Sequence, residues 1–212
     1  MGNQKALDFY DGLASDADRS GSEKLKMGQI AVEHDIAFIR KHGKGALSLL
    51  DIGTGSGLIL NQICAEFDRV LAIEPVLQLA KHISGKNIEI DTSNIFDFQT
   101  EEKFDLITLF GVCHHFEMEE AATLYKIIAP MLAPGGRVLV KNQLGRKETV
   151  TVDRFSEELG RHYFAQYRSE EDEQTIIRRA GLELVQVVDI YPPEVNRWPD
   201  THYRALIIEA RS

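Results

Sequence analysis

Apolar residues follow two alternating spacings in the middle of the chain. Apolar runs that predict strands occupy 46–52, 69–73, 87–91, 104–110 and 137–142. Segments with helical apolar spacing lie between them, at 57–67, 75–84 and 118–132. The turn Pro134-Gly135-Gly136 is expected to end the last of these helices. The alternation predicts an α/β fold, with a doubly wound, mostly parallel sheet and helices on both faces.

The N-terminal part follows a helical pattern with a polar break. Residues 3–14 have the spacing of a short amphipathic helix. Ser20 and Glu23 match a capping box at the start of a second helix, which runs to about His42. The two helices predict an N-terminal helical lid.

The C-terminal part departs from the strand–helix alternation. Residues 143–168 are polar and aromatic and predict no regular element, and a helix follows at 169–180. Two strands, 182–190 and 203–210, then come without a helix between them. This succession predicts an antiparallel hairpin at the sheet edge, which brings the sheet to seven strands.

Composition and charge narrow the class of partner. The chain has 212 residues, which suits one domain, and a net charge of −9 from 33 acidic and 24 basic residues. That balance argues against nucleic acid and anionic membranes as partners. Cys64 and Cys113 lie in apolar segments without a C-x-x-C pair, which indicates buried thiols rather than a zinc site. The N-terminus lacks the apolar core of a signal peptide, so a cytoplasmic protein is expected.

A glycine-rich turn follows the first strand. Asp51 lies near the strand end, and Gly53, Gly55 and Gly57 follow at every second position. A side chain at the first two glycines would keep the backbone away from a ligand. The dinucleotide fingerprint needs glycine or alanine where this chain has Leu58. Because an aspartate beside a helix start repels pyrophosphate, the turn favours a ligand with a cationic group.

Five ordered motifs resemble those of class I S-adenosylmethionine-dependent methyltransferases of the small-molecule type. They are Leu49–Gly57, Leu71-Ala72-Ile73-Glu74-Pro75, 87–95, 104–116 and 134–140, and the segment Asp8-Phe9-Tyr10-Asp11 is similar to the lid helix of that family. The resemblance covers nearly the whole length. It implies one domain over 1–212, with a lid at 1–42, a cofactor-binding core at 46–142 and a substrate-side segment at 143–212.

The resemblance also implies a site for S-adenosylmethionine. Glu74 falls where the family has an acidic residue that bonds both ribose hydroxyls, since a carboxylate accepts two hydrogen bonds from a cis-diol. Asn94 falls where the family commonly has an aspartate beside adenine, and Asp91 is the competing position. The expected cofactor-binding residues are Tyr10, Asp51, Gly53, Thr54, Gly55, Gly57, Glu74, Pro75, Asn94, Ile95 and Phe110.

Two histidines after the fourth strand are the candidate catalytic groups. His115 and His114 would lie at the carboxyl ends of the strands, where one of them could orient or deprotonate an acceptor. The alternative is that the pair only shapes the wall or bonds backbone. Cys-His-His-Phe at 113–116 lacks an aspartate, so no metal is expected. The candidate substrate-binding residues are Asn142, Arg146, Tyr191, Arg197, Trp198 and His202.

These observations predict a methyltransferase that acts on a small-molecule acceptor. A hydroxyl of a sugar or secondary metabolite is the expected acceptor, and a monomer or homodimer is the expected assembly. One alternative is a non-catalytic binding subunit of the same fold, although the retained glycine motif and Glu74 argue against an empty site. The other is a methyltransferase that acts on protein or RNA, and the acidic balance disfavours RNA.

Overall fold

Helices and strands alternate through most of the chain. The structure, a computed structural model, describes residues 2–15, 28–157 and 160–211. The helices in these residues are α1 (Gly2–Ser15), α2 (Gly28–His42), α3 (Leu60–Ile63), α4 (Leu77–Ala80), α5 (Met118–Ile128) and α6 (Glu170–Arg179). The strands are β1 (Ser48–Ile52), β2 (Arg69–Ile73), β3 (Ile88–Asp91), β4 (Phe104–Phe110), β5 (Leu132–Gly145), β6 (Val150–Ser156), β7 (Arg161–Tyr167), β8 (Leu182–Asp189) and β9 (Thr201–Ala210).

The main sheet has seven strands in the order β3-β2-β1-β4-β5-β9-β8. The first five strands of this order, β3 to β5, pair in parallel with their neighbours. β9 is antiparallel to both β5 and β8. The predicted α/β class, the mostly parallel sheet and the antiparallel C-terminal hairpin are confirmed. The predicted capping box at Ser20 and Glu23 lies outside the described residues.

Several helices are shorter than predicted. The segment predicted as a helix at 57–67 begins with the glycine turn, so α3 starts only at Leu60 and tightens into a 3₁₀ turn at Cys64–Glu66. The segment 75–84 begins in an extended conformation at Val76, which confines α4 to one turn. Pro130 lies in a 3₁₀ turn after α5, because proline lacks the N–H that a continuing α-helix needs.

The turn predicted at Pro134-Gly135-Gly136 lies inside a strand instead. The ladder between β4 and β5 shifts register between Phe104 and Leu106, and the extra residues of β5 are taken up there. Gly135 has a φ of +77°, and a Cβ on Gly136 would lie 2.9 Å from the Asp105 carbonyl oxygen. The glycines therefore form an irregularity within β5 rather than its starting turn.

A second sheet lies in the segment for which no element was predicted. β6 and β7 form a two-stranded antiparallel sheet, in which Val150 pairs with Tyr167 at one end and Ser156 pairs with Arg161 at the other. α1 packs against it, with the Phe9 and Tyr163 rings 5.5 Å apart. A salt bridge joins Lys5 Nζ to Asp153 Oδ2 at 2.7 Å. The predicted lid helix and this hairpin therefore form one cover.

Two apolar clusters fill the two faces of the main sheet. One cluster packs β-strand side chains against α5 and α6, and the other packs them against α2, α3 and α4. Helices thus cover both faces, as the alternation predicted. No helix in 2–15, 28–157 and 160–211 is both long enough and apolar enough to cross a lipid bilayer.

Candidate active site

A cavity of about 1500 Å³ lies at the carboxyl ends of the parallel strands. This is the edge where open α/β sheets bind ligands. The glycine turn after β1 and the ends of β2 and β4 form one side. The lid helix α1, the β6–β7 hairpin and the segment 198–203 form the other sides. The fold thereby brings the predicted cofactor and acceptor segments to one place.

The glycine turn lies against the cavity with positive φ at each glycine. Gly53 has a φ of +71°, and a Cβ there would lie 2.5 Å from Val112 Cγ2. Gly55 has a φ of +62°, and a Cβ there would extend into open space. Because Gly55 lines the cavity, its backbone is accessible to a ligand there. Gly57 lies outside the described lining, next to the Asn61 side chain.

Two carboxylates flank this turn. Glu74 is 5% exposed, and its Oε2 accepts a hydrogen bond from Gly55 N at 2.6 Å while Oε1 accepts one from Val76 N at 2.9 Å. Asp51 Oδ1 accepts a hydrogen bond from the Thr108 hydroxyl at 2.6 Å. Burial raises the pKa of Asp51. Both acidic groups line the cavity, so a ligand there meets the half-buried Asp51 and the buried Glu74 on one side.

The other predicted cofactor positions, with one exception, also line the cavity. Asn94 lines the cavity and its Oδ1 accepts a hydrogen bond from Phe96 N at 3.1 Å. Asp91 lies outside the described lining, and its Oδ1 accepts a hydrogen bond from Ser93 N at 2.7 Å. All predicted cofactor positions except Gly57 line the cavity, namely Tyr10, Asp51, Gly53, Thr54, Gly55, Glu74, Pro75, Asn94, Ile95 and Phe110.

His115 bonds protein groups through both ring nitrogens. Its Nδ1 lies 3.3 Å from the Phe164 carbonyl oxygen, and its Nε2 lies 2.8 Å from the Tyr10 hydroxyl. A carbonyl oxygen only accepts, so Nδ1 carries the proton and Nε2 accepts from Tyr10. Burial raises the pKa of the Tyr10 hydroxyl, which keeps it a donor. His115 therefore ties the lid helix to the hairpin.

His114 bonds a neighbouring side chain through one ring nitrogen. Its Nδ1 lies 3.2 Å from Asn142 Oδ1, so this nitrogen donates and Nε2 is the basic atom. Burial and the neighbouring His115 hold the pKa of His114 well below its usual range, and the ring is neutral at pH 7. Asn142 is 1% exposed and lies outside the described lining, so it orients His114 from behind.

A buried arginine fixes the turn that carries both histidines. Arg168 is 1% exposed, and its guanidinium donates to the Phe116 carbonyl at 2.8 Å and to the Cys113 carbonyl at 2.7 Å. Its Nε donates to Glu173 Oε2 at 2.5 Å, and the Tyr125 hydroxyl donates to the other oxygen of Glu173 at 2.6 Å. The planar fork thus holds both ends of the histidine turn.

Cys113 has no place in the chemistry of this turn. Both cysteines are buried and free, and burial raises the pKa of the Cys113 thiol to about 12. A thiol with so high a pKa is inert as a nucleophile. In the part of the chain that the structure describes, no cluster of histidine, cysteine and acidic side chains is arranged to hold a metal ion.

The predicted substrate residues divide into two groups. Trp198 lines the cavity and is 60% exposed. The others lie outside the described lining, and they are Asn142, Arg146, Tyr191, Arg197 and His202. Of these, Tyr191 donates its hydroxyl proton to Asp35 Oδ1 at 2.6 Å. Asn142 and Tyr191 contact two residues that do line it, His114 and Asp35.

An ion pair in the lining was not predicted. Lys141 Nζ lies 3.0 Å from Asp35 Oδ2, and the aspartate is fully buried. Asp35 interrupts the apolar face of α2, and Lys141 interrupts the apolar run of β5. A charge on an apolar stripe is the signal that could have identified both residues, because such charges are rarely buried unless paired.

The chain belongs to a family of methyltransferase domains, since the family described as Methyltransferase domain matches residues 23–187. The predicted resemblance to methyltransferases is thereby confirmed. No curated protein matches the chain.

Solved structures share the fold at low identity. The 1,6-didemethyltoxoflavin-N1-methyltransferase of Burkholderia thailandensis, with its substrate and S-adenosylhomocysteine, superimposes with a TM-score of 0.74 at 20% identity over 99% of this chain and 89% of that one. The magnesium protoporphyrin IX methyltransferase of Synechocystis PCC 6803, with bound SAM, superimposes with a TM-score of 0.70 at 16% identity over 100% of this chain and 98% of that one. The cyclase SpnF superimposes with a TM-score of 0.66 at 14% identity over 84% of this chain and 81% of that one.

Proposed function

We propose that this enzyme transfers a methyl group from S-adenosylmethionine to a hydroxyl of a small molecule, with His114 as the base. The observation that carries the proposal is a neutral imidazole in the cavity wall, oriented by Asn142 at 3.2 Å. A hydroxyl must lose its proton around the time of transfer, and a positioned histidine is suited to take it. The rest of the cavity supports a sulfonium donor and a small acceptor.

The glycine turn and its two carboxylates fit the donor. S-adenosylmethionine carries cationic groups and a ribose diol and no phosphate, so the carboxylates of Asp51 and Glu74 suit it where they would repel a pyrophosphate. The open space beside Gly55 lets backbone approach the ligand. The two methyltransferase structures named above were solved with SAM or S-adenosylhomocysteine, which supports the same donor here. When bound, the donor supplies an activated methyl group.

The cover of the cavity suits a small acceptor. Residues of α1 and of the β6–β7 hairpin line it on the side away from the glycine turn. The Tyr10–His115 hydrogen bond holds this cover over the histidine turn. A cavity enclosed on several sides admits a metabolite more readily than a folded macromolecule. The substrates named for the two methyltransferase structures, a toxoflavin precursor and a porphyrin, are also small molecules.

The fold alone does not specify this reaction, because a cyclase shares it. The test is incubation of the protein with methyl-labelled S-adenosylmethionine and fractionated metabolites, followed by mass spectrometry of the acceptor. We expect one small compound to gain the label on oxygen, and Glu74→Ala to lose the transfer. Glu183→Ala, an exposed change on β8, is the matched control. Label in protein or RNA, or on nitrogen or carbon, would contradict the proposal.

A further inference from the structure

We infer that the acceptor is a planar aromatic compound, methylated on a phenolic hydroxyl, and that it binds between the tyrosines of β7 and the exposed aromatic side chains at the cavity mouth. The inference rests on the proposed function and specifies the substrate class of the same site. It is carried by the ring arrangement beside His114, by the apolar mouth, and by the pairing of two buried polar residues, Lys141 and Gln143.

Aromatic rings surround the proposed base. The Tyr167 ring lies 5.7 Å from the His114 ring at an angle of 33°, and the Tyr163 ring lies 6.0 Å from the His115 ring at 85°. The hydroxyls of the two tyrosines are 3.1 Å apart. Both tyrosines are half-buried and line the cavity, so each leaves ring surface for a ligand. Such a wall favours a flat ring, which packs on aromatic faces and edges.

The mouth of the cavity adds two large exposed aromatic side chains. Phe155 of the β6–β7 hairpin is 62% exposed, and Trp198 is 60% exposed. Both line the cavity, together with Val150 and Val152. Large exposed apolar side chains beside a cavity are typical of a ligand-binding site. An aromatic acceptor would remove it from water.

Two buried polar side chains of the cavity lining already have partners in the protein. Lys141 is paired with Asp35 at 3.0 Å, and Gln143 Nε2 donates to the Thr201 hydroxyl at 2.5 Å. Among the described lining residues Lys141 is the one buried cation, so its pairing leaves no buried charge for a phosphate or sulfate. A sugar needs many hydrogen-bonding partners, and these two buried groups are occupied. The arrangement favours an aromatic acceptor over a sugar.

The chemistry of the base also favours a phenol. The acceptor oxygen forms a bond to the methyl carbon as the carbon–sulfur bond breaks, sulfur keeps that electron pair, and the hydroxyl proton passes to His114 Nε2. Burial lowers the pKa of His114, which makes it a weak base. A phenol, with a pKa of about 10, gives up its proton to such a base far more readily than a hydroxyl as weakly acidic as water, at about 15.7.

The experiment compares two probes of the same size. Calorimetry on the protein saturated with S-adenosylhomocysteine measures binding of 2-naphthol and of its saturated analogue, decahydro-2-naphthol. We expect 2-naphthol to bind at least about tenfold more tightly, from ring contacts that the saturated compound cannot make. With labelled S-adenosylmethionine, 2-naphthol should yield 2-methoxynaphthalene. Equal affinities, or no binding of either probe to protein that binds S-adenosylhomocysteine, overturn the inference and leave the proposed function standing.

Variants at β7 locate the binding surface. Tyr167→Phe keeps the ring and should hold 2-naphthol within about threefold of wild type, whereas Tyr167→Leu should weaken it about tenfold. Val185→Ala, at an exposed position of β8 outside the described lining, should change nothing. S-adenosylhomocysteine affinity should stay constant in all three, which shows that the fold is intact. Equal 2-naphthol affinity in the Leu variant overturns the inference, and failure of wild type to bind S-adenosylhomocysteine overturns the proposed function itself.

Discussion

Glu74 accepts the backbone N–H of Gly55 at 2.6 Å, so one buried carboxylate links the end of β2 to the glycine turn after β1. The same side chain accepts from Val76 N at 2.9 Å and starts the segment that leads into α4. A carboxylate fixed in this way is held ready for a diol, because its orientation is set before the ligand arrives. The donor site is therefore built by the residue proposed to bind the ribose.

Glu74→Ala is expected to weaken S-adenosylhomocysteine binding at least about 10- to 100-fold, since even one hydrogen bond to a charged group contributes roughly 1.5–3 kcal/mol. Isothermal titration calorimetry measures the change. Glu74→Gln keeps one oxygen acceptor and should lose less affinity for S-adenosylhomocysteine than Glu74→Ala does. The control is Glu183→Ala on β8, with an exposed side chain. Wild-type affinity in Glu74→Ala would show that the ribose assignment is wrong.

The sheet and the glycine turn could be predicted because their signals are local. Apolar runs mark β1, β2 and β4, and the glycines interrupt the pattern directly after β1. The β6–β7 hairpin could not be predicted in this way, since most of β6 is exposed or half-buried. Its contacts with the lid, through Lys5–Asp153 and Phe9–Tyr163, join residues more than 140 positions apart.

In the candidate site, too, residues that belong to local motifs could be predicted and residues placed by distant contacts could not. His114 and Glu74 follow strand ends, where a motif places them, and both were predicted. Arg168 stands at the end of an aromatic segment with no motif, and the position of β7 beside the histidine turn brings its guanidinium there. Which tyrosines line the cavity likewise depends on the β6–β7 hairpin, an element that the sequence did not predict.

The Tyr10–His115 hydrogen bond is expected to hold the lid. Tyr10→Phe removes a bond of about 1 kcal/mol, which should speed amide hydrogen exchange in α1 roughly fivefold. His115→Gln should have at least this effect, since it also removes the hydrogen bond to the Phe164 carbonyl. Because the two changes share the Tyr10–His115 bond, their effects should be less than additive in the double variant. Additive effects in this cycle would show that the two residues act separately.

Arg168→Met is expected to destabilise the fold by about 3–5 kcal/mol, because it leaves the Glu173 carboxylate buried without its cation. Urea unfolding measures the loss. Arg168→Met combined with Glu173→Met should recover part of it, since no buried charge then remains. Arg168→Lys keeps the charge but lacks the fork that reaches two carbonyls, so it should fall between wild type and Arg168→Met. A double variant less stable than the single variant would contradict this account.

His114→Gln is expected to lower kcat about 10²- to 10⁴-fold, the usual contribution of a positioned general base, with little change in donor affinity. His115→Gln should reduce kcat less, since both nitrogens of His115 already bond protein groups. Single-turnover transfer of labelled methyl to the acceptor, beside calorimetry with S-adenosylhomocysteine, separates the two effects. A larger loss of kcat at His115 would reverse the assignment of the base.

The lowered pKa of His114 also predicts how stability depends on pH. The folded protein disfavours protonation of this ring, whereas the unfolded chain protonates it at its ordinary pKa of about 6.5. The unfolded state therefore binds more protons below that pH, so stability is full above about 6.5 and falls as the pH drops toward the lowered value. The slope should reach about 1.4 kcal/mol per pH unit for this one proton.

Unfolding free energies of wild type and His114→Gln, compared between about pH 7.5 and 5.5, measure this slope. The pKa values of His42 and His202 are also lowered by burial, but both residues remain in the variant and their contributions cancel in the difference. Identical pH slopes would show that His114 is not held neutral by the fold.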